Sequence, residues 1–402
     1  MTPTDETATK TGKTDPSAKR DILYVILWSL VIYATIPYMQ PFMQFLGRNL
    51  GGDPVLNPLF AVLVFGLLGV FSWKTVRRPG FGAARGVWLA AILGVYAYFM
   101  WRMEIPAEKI HFPEYGILAI LMFRAGRHWF PNRPTYAAVV AAGYLIGLSD
   151  EYIQSLSPPR VGEIADTLWN LLAVGLALLG IHRAWVPDET GVALRRRHVQ
   201  VAGGLWIAAL IACALFIHTI SELGYKIEDP DIGLFRSAFT KSDLARVDAE
   251  RGAEGAALID TTDDTSYGKF LRTYTSKKDP YIHEARVHLF RRDRYLRKSQ
   301  DTGTADEQER LGHLHVAVME NRILERYFPA LMAGSRRCGW RERAREREGL
   351  LASRQALTPD YESAGGKRMI TAFDRRKLWL VTAVLCMAIL VIATGAAKRC
   401  ER

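Results

Sequence analysis

The chain has 402 residues, of which 49% are hydrophobic and 23% are charged, and its formal net charge is +11. Its mean hydropathy of +0.01 averages apolar blocks long enough to cross a bilayer with strongly charged segments, which argues against a wholly soluble protein. Much of the excess lysine and arginine lies in short loops between the apolar blocks, where it sets membrane topology, so we expect no nucleic-acid partner.

The apolar blocks predict an all-α, polytopic transmembrane protein with about eight spans. In chain order the predicted spans are approximately residues 22–46, 58–73, 86–103, 112–126, 136–148, 166–185, 201–220 and 378–397. Pro37 and Pro41 are expected to kink or end the first of them. The fifth is expected to continue as a helix through Asp150 to Leu156, where Ser157-Pro158-Pro159 stops it.

The same blocks predict the domain organisation. Residues 1–20 form a disordered cytoplasmic tail, 21–186 a transmembrane domain, 187–220 a basic loop with the seventh span, 221–374 a helical extracytoplasmic domain, and 375–402 the last span with a short cytoplasmic tail. Basic loops alternate with non-basic loops, so both termini are expected in the cytoplasm. The last span has basic residues on both flanks, which leaves its own orientation open.

The extracytoplasmic segment is expected to be helical, because it shows no alternating strand pattern. Asp279-Pro280 is a typical helix start, with an N-cap acid followed by a proline in the first turn. A second helix is predicted over Glu307 to Met332. Arg341 to Glu348 alternates in charge, which is typical of a solvated helix face, and Thr261 to Ser266 is expected to be a loop.

Polar residues at helical spacing lie at the ends of the fourth, fifth and sixth predicted spans. These are His111 and Tyr115; Asp150, Glu151 and Gln154; and Asp166 and Asn170. Residues four apart share a helix face. Ionisable groups at this depth are costly in lipid and usually face a protein interior or a wet cavity. We therefore expect the three helix ends to meet at the outer membrane surface, with Arg160 as a countercharge.

Three stretches carry a resemblance: Glu108-Lys109-Ile110-His111-Phe112-x-x-Tyr115, Asp150-Glu151-x-x-Gln154 and Pro159-Arg160-x5-Asp166-x3-Asn170. In order and spacing they resemble the VanZ-like family of bacterial membrane proteins, over about residues 85–186. The resemblance implies a multi-pass protein of the bacterial plasma membrane with a role in the cell envelope. The namesake of the family is associated with antibiotic resistance, to the glycopeptide teicoplanin.

The polar residues predict either a functional pocket or a buried salt-bridge network that fixes helix packing. In a catalytic pocket, His111 would carry a proton, and Asp150 or Glu151 would orient it or act as a base. The expected ligand is a lipid-linked or glycan envelope precursor, and the expected surroundings are membrane lipid. The predicted substrate-binding residues are Lys109, Tyr115, Gln154, Arg160, Asp166 and Asn170. An enzyme, a non-catalytic binding or resistance factor and a membrane scaffold all remain open.

Metal and cofactor sites are not expected. Glu284 and His288 have a spacing that two metal ligands can use, but no zinc signature is present, so the histidines of this segment are expected at the surface or the edge of the core. Four cysteines without a CxxC pair predict neither a disulfide framework nor a thiolate site.

A basic run predicts a solvated helix face or, alternatively, a contact with anionic head groups. It comprises Arg291, Arg292, Arg294, Arg297 and Lys298.

Overall fold

The computed structural model describes residues 16–50, 53–103, 106–156, 162–261, 267–301, 307–336 and 360–400. The described chain is mostly helical, as the sequence predicts. It divides into two compact units. The first unit comprises Met1–Ile220 and Trp379–Arg402, and the second comprises Ser221–Leu378.

The elements follow one another in a simple order along the chain. They are α1 (Pro16–Leu50), α2 (Asp53–Val76), α3 (Ala83–Arg102), α4 (Pro106–Gly126), α5 (Asn132–Leu156), α6 (Ile164–Gly180) with a π-helical turn (Ile181–Trp185), α7 (Arg196–Thr219), β1 (Tyr225–Asp229), β2 (Gly233–Ser237), α8 (Lys241–Asp260), α9 (Tyr267–Thr273), α10 (Pro280–Asp301), α11 (Glu307–Tyr327), α12 (Pro329–Gly334) and α13 (Arg375–Arg399).

Within the described ranges, five helical segments are long and apolar enough to cross a membrane. They are Pro16–Tyr38, Ala83–Arg102, Ile164–Trp185, Arg196–Thr219 and Arg375–Arg399. Helix α2 adds a shorter apolar stretch, Val64–Val76. Helices α4 and α5, which carry His111, Tyr115, Asp150, Glu151 and Gln154, are not among the five, whereas α6, which carries Asp166 and Asn170, is. Large apolar side chains such as Leu380 and Ile392 are exposed on α13, as expected for a surface that faces lipid.

The two prolines of the first helix do not end it. Helix α1 continues through Pro37 and Pro41 to Leu50, so of the two expected outcomes, a kink or an end, the end is excluded. Interior prolines are tolerated in apolar bundles, where neighbouring groups satisfy the freed backbone carbonyls. Helix α5 is described as far as Leu156, and the predicted Ser-Pro-Pro stop lies outside the described residues.

Close helix packing in the first unit positions the ends of α4, α5 and α6. Helix α4 packs against α1, α2, α5 and α6, and α5 also packs against α6 and α7. Gly143 and Gly147 are four residues apart on α5. A Cβ at Gly143 would lie 3.0 Å from a methyl group of Val174, and one at Gly147 would lie 3.2 Å from Asn170 Cβ. This small-residue spacing lets α5 and α6 approach closely.

The second unit contains a β-hairpin that the sequence analysis did not predict. Strands β1 and β2 pair antiparallel, with Ile227 opposite Phe235. The chain near Tyr361 runs beside β2, where Leu234 N donates to Tyr361 O at 2.7 Å and Ser363 N donates to Leu234 O at 2.8 Å. The expectation of a purely helical segment is therefore wrong at this point. The strands are only five residues long, and their alternation of apolar and charged residues is too brief to be recognised.

The helices of the second unit confirm one predicted boundary and correct another. Asp279 caps α10, because Ile282 N donates to its Oδ1 at 3.2 Å. The single helix predicted over Glu307 to Met332 is wrong, since it is divided at Phe328 into α11 and α12, and Pro329 begins the second. The predicted helix over residues 341–348 and most of the predicted loop at 261–266 lie outside the described residues. The hydrophobic core of the second unit includes five fully buried side chains: Phe235, Leu244, Tyr281, Leu289 and Phe328.

Candidate functional site

Asp150 and Glu151 form a buried pair of carboxylates on α5, and neither is exposed to solvent. Tyr115 Oη on α4 donates to Asp150 Oδ2 at 2.9 Å. Gln154 Nε2 lies 3.1 Å from Asp150 Oδ1 and 3.0 Å from Glu151 Oε1. The backbone N–H of Glu163, directly before α6, donates to Glu151 Oε2 at 3.2 Å. Each of the four carboxylate oxygens therefore accepts a hydrogen bond, and every one of these donors is uncharged.

His111 lies on α4, one turn before Tyr115, and faces the same acid pair. Its Nδ1 is 3.8 Å from Asp150 Oδ2 and 3.5 Å from Glu114 Oε2. Both distances are longer than a normal hydrogen bond. Nδ1 is buried and has no hydrogen-bond partner among the residues that the structure describes. The His111 side chain as a whole is 18% exposed, so its ring reaches the surface of the unit.

We use the name polar cluster for the residues whose side chains meet here. They are His111, Glu114, Tyr115, Asp150, Glu151 and Gln154. The sequence analysis gave Glu114 no catalytic or binding role. Its signal was present, because Glu114 follows His111 by three residues and so shares a helix face with it.

The other predicted site residues take different places. Asp166 interacts electrostatically with Glu151. Asn170 is 1% exposed and lies against Gly147, one turn before Glu151 on α5. Neither amide atom of Asn170 has a hydrogen-bond partner within the described ranges. Lys109 is buried. Arg160 lies outside the described residues.

A second buried polar group, the Glu320 network, lies in the second unit. Glu320 on α11 accepts hydrogen bonds from Arg291 Nε at 2.5 Å, Tyr361 Oη at 2.7 Å and Ser363 Oγ at 2.8 Å, and His288 Nδ1 lies 2.6 Å from it. Burial alone would raise the pKa of Glu320, but the charges and hydrogen bonds of His288 and Arg291 hold that pKa at about 2. The carboxylate is thus ionised, with the Arg291 guanidinium as its counterion and the His288 ring as a hydrogen-bond partner.

Glu284 and His288, the pair considered as metal ligands from their spacing, bind different partners. Glu284 accepts from Ala238 N at 2.6 Å and from Ser237 Oγ at 2.7 Å. Burial raises the pKa of Glu284 to about 7, although these two hydrogen bonds oppose the shift. His288 is 1% exposed, so the expectation of a histidine at the surface or core edge is wrong for this residue. It packs edge-on against Phe235.

The basic run of α10 is not one solvated face. Arg291 binds Glu320, and Arg292 is 1% exposed, with Nε 2.8 Å from Asp293 Oδ1 and a terminal nitrogen 3.3 Å from Asn321 Oδ1. The remaining members, Arg294, Arg297 and Lys298, are exposed. The run therefore has a solvated half and a half that belongs to the core.

No protein-family model, no curated protein and no solved structure matches this chain. The resemblance to the VanZ-like family stays a prediction that depends on the three motifs.

The polar cluster has the chemical means to hold a ligand and to move a proton. An imidazole titrates near neutral pH, and here it adjoins carboxylates that are fixed by hydrogen bonds. In the part of the chain that the structure describes, His111, Asp150 and Glu151 are the one group of three or more histidine, cysteine or acid side chains whose ligating atoms all lie within 4.8 Å of one another. The predicted catalytic residues are thus brought together, while their roles remain predictions.

Proposed function

We propose that this chain is a VanZ-like, multi-pass protein of the bacterial plasma membrane, with about eight spans and both termini in the cytoplasm. Its polar cluster lies near the outer membrane surface. There it binds the polar head of an amphiphile of the lipid-linked envelope-precursor class. Residues 221–374 lie on the same outer side.

The observation that carries the proposal is the buried acid pair beside a histidine with an unpartnered nitrogen. Two carboxylates in an otherwise apolar helix bundle cost folding free energy unless something compensates them. The imidazole nitrogen that faces Asp150 and Glu114 makes no hydrogen bond to either. Groups that are buried and incompletely partnered in this way are typical of ligand sites, where the ligand supplies the missing contacts.

An apolar cavity beside the polar cluster favours an amphiphile over a fully polar ligand. A cavity of about 90 Å³ lies among α2, α3, α4 and α6 and has almost entirely apolar walls. Pro113, Gly116 and Ile117 of α4 line it, and His111 and Tyr115 of the same helix belong to the polar cluster. One helix therefore presents a polar face and an apolar cavity at neighbouring positions. A head group and part of an acyl or isoprenoid chain have the matching chemistry.

The competing function is a packing network without a ligand. The specific observation in its favour is that all four oxygens of Asp150 and Glu151 already accept hydrogen bonds. Such a network would fix the arrangement of α4, α5 and α6 and would make the chain a membrane scaffold. This function predicts that every substitution in the cluster lowers stability, and that none separates stability from function.

Substitution at the cluster separates the two functions. We expect His111→Ala and Asp150→Asn, expressed in a strain from which the gene is deleted, to leave the envelope-precursor and lipid profile of the deletion strain unrestored. Catalysis by His111 would make its loss cost about 10²- to 10⁴-fold in turnover. His182→Ala and Asp188→Asn are matched controls, because both side chains are exposed. Membrane levels of each variant are measured by quantitative blotting.

A binding or catalytic site is supported if all variants reach normal membrane levels, the two control variants restore the profile, and the two cluster variants do not. Full restoration by both His111→Ala and Asp150→Asn would contradict the proposal. Teicoplanin susceptibility of the same strains tests the resistance role, and susceptibility equal in the wild-type and deletion strains would exclude that role.

The membrane topology is tested separately with an impermeant thiol reagent on a chain whose own cysteines are replaced. Tyr152→Cys on α5 and Arg294→Cys on α10 place thiols at exposed positions of the two regions assigned to the outer side. We expect both to react in intact cells. Arg77→Cys, in a basic loop, is expected to react only after permeabilisation. Labelling of Tyr152→Cys and Arg77→Cys from the same side would contradict the proposed spans.

A further inference from the structure

The spacing of ligating atoms in the polar cluster fits a shared ion better than it fits direct hydrogen bonds. His111 Nδ1 lies 3.8 Å from Asp150 Oδ2 and 3.5 Å from Glu114 Oε2. Two ligands that are each about 2.1 Å from a tetrahedral ion are about 3.4 Å apart. The observed separations are therefore too long for hydrogen bonds and close to the separation of two ligands on one metal ion.

We propose that His111, Asp150 and Glu151 bind a divalent transition-metal ion. One imidazole nitrogen with carboxylate oxygens suits Zn²⁺ first and Mn²⁺ second. The proposal concerns the same site as the proposed function, but it depends on the geometry of that site and not on the identity of the amphiphile.

Charge is a second reason for an ion at this place. Glu114, Asp150 and Glu151 bring three carboxyl groups close to one histidine, and the donors that hold the acid pair are neutral. Carboxylates held close together in a buried position disfavour one another's ionisation. A divalent cation removes that repulsion and binds the oxygens through lone pairs that the hydrogen bonds leave available.

The surrounding hydrogen bonds have the form of an outer shell around metal ligands. Tyr115 fixes one oxygen of Asp150, Gln154 bridges Asp150 and Glu151, and the Glu163 N–H fixes the second oxygen of Glu151. Such donors orient ligating carboxylates, and their removal typically costs 10- to 100-fold in metal affinity. The neutral His111 ring would bind through Nδ1, the nitrogen that faces the acids.

A metal ion would give the proposed site a strong electrophile at the point where a head group approaches. Zn²⁺ and Mn²⁺ both bind phosphate or carboxylate oxygens while held by protein ligands. Three protein ligands leave the fourth coordination position of a tetrahedral ion open to such a group. The ion would thus explain how an acidic cluster can bind an anionic head group, which the carboxylates alone would repel.

The test measures metal on the purified full-length protein in detergent. After treatment with a chelator and its removal, equilibrium dialysis against Zn²⁺, and separately against Mn²⁺, is followed by elemental analysis. We expect one equivalent of metal in the wild type. We expect His111→Ala and Glu151→Gln to weaken affinity by more than about 100-fold, and Tyr115→Phe to weaken it by about 10- to 100-fold. His182→Ala, which changes an exposed histidine, is expected to bind as the wild type does.

Co²⁺ provides a readout that ordinary misfolding does not imitate. Visible absorption bands of bound Co²⁺ should be present in the wild type and in His182→Ala, and they should change in His111→Gln, which keeps the size of the side chain. Circular dichroism and size-exclusion chromatography establish that each variant is folded. Metal bound equally by His111→Ala and the wild type, or absent from both, would overturn the metal site.

Failure of the metal site is distinguishable from failure of the proposed function. Metal bound through His111 in a chain that restores nothing in the deletion strain would leave the metal site standing and remove the envelope function. If instead the profile of the strain depends on His111 and Asp150 but the purified protein binds no metal, the envelope function would stand and the metal site would fail.

Discussion

The polar cluster of the first unit and the Glu320 network of the second are both buried, but their charges are balanced differently. Glu320 receives His288 and Arg291 together with two hydroxyl groups, so its charge and its lone pairs are matched. The polar cluster combines three carboxyl groups with one histidine, and the histidine nitrogen that faces them has no hydrogen-bond partner among the described residues. A buried network that is complete within the protein fixes a core, whereas an incomplete one indicates a ligand.

The largest expected effect is the removal of the carboxylate from the complete network. Glu320→Ala leaves the half-buried Arg291 without its counterion and the buried His288 Nδ1 without its hydrogen-bond partner, which should cost about 3–5 kcal/mol in the free energy of unfolding. Hydrogen exchange of peptides from α10 and α11, in the full-length protein, measures this loss of stability. Glu325→Ala, at an exposed position on the same helix, is the matched control. Equal losses in the two variants would show that the Glu320 network contributes nothing to stability.

The pH dependence of stability sharpens the comparison within the second unit. The pKa of Glu320 is lowered to about 2, so its contribution is present above the unfolded pKa near 4.5 and is lost as the pH falls towards 2. The pKa of Glu284 is raised to about 7, so its contribution is present below 4.5 and is lost as the pH rises through 7. Each shift corresponds to about 3 kcal/mol.

These two acids together predict greatest stability of the second unit near pH 4.5–5 from their contributions alone. Denaturant titrations followed by hydrogen exchange at a series of pH values measure the curve. We expect Glu284→Gln to remove the decline between pH 4.5 and 7 and to leave the decline at lower pH in place. A Glu284→Gln curve that keeps its decline towards pH 7 would assign that decline to another group.

An intermediate effect is expected where α5 and α6 approach each other. Gly147→Val places new atoms against Asn170 and Tyr115, and overpacking of this kind costs about 1–3 kcal/mol. Because Gly147 precedes Glu151 by one turn, the change should also weaken metal binding at the polar cluster. Gly175→Val is the matched control, since a Cβ there meets nothing within 4 Å. Thermal unfolding and metal affinity are measured side by side for the two variants. Similar values for Gly147→Val and Gly175→Val would contradict the prediction.

Much of the helical organisation was readable from the sequence because apolar blocks and proline signals are local. The cap of α10 at Asp279 followed from such a signal. The hairpin and the division of α11 from α12 did not, because both depend on packing with distant chain. Leu234 pairs with the segment at Tyr361, for example, which no local pattern reveals.

The candidate site was predictable in its members but not in its contacts. Helical spacing grouped Asp150 with Gln154 and His111 with Tyr115, and both pairs contribute to the polar cluster. No metal site was expected, because His111 and Asp150 are far apart in the chain and no metal motif links them. Glu284 and His288, in the second unit, have a spacing that two metal ligands can use, but no metal site was expected there either. The two side chains do not share a ligand site, because Glu284 binds Ser237 while His288 binds Glu320.

The smallest expected effect on stability is also the one that separates the two buried clusters. Asp150→Asn keeps the shape of the side chain and removes one of the crowded charges. Its new amide can donate to the Tyr115 hydroxyl while its oxygen still accepts from Gln154, so both hydrogen bonds survive. In chelator-treated protein we expect the free energy of unfolding to be unchanged or raised by up to about 1 kcal/mol, because repulsion with Glu151 is relieved.

Glu320→Gln is the matched substitution in the complete network, and there we expect a loss of stability, because Arg291 loses its counterion. Thermal unfolding of both full-length variants in the same detergent gives the contrast directly. A gain or no change for Asp150→Asn, together with lost metal binding, is what a site shaped for a ligand requires, since such sites retain groups that are costly to folding. A loss of several kcal/mol for Asp150→Asn would instead make the polar cluster a packing network like that around Glu320, and the proposed function would fail with it.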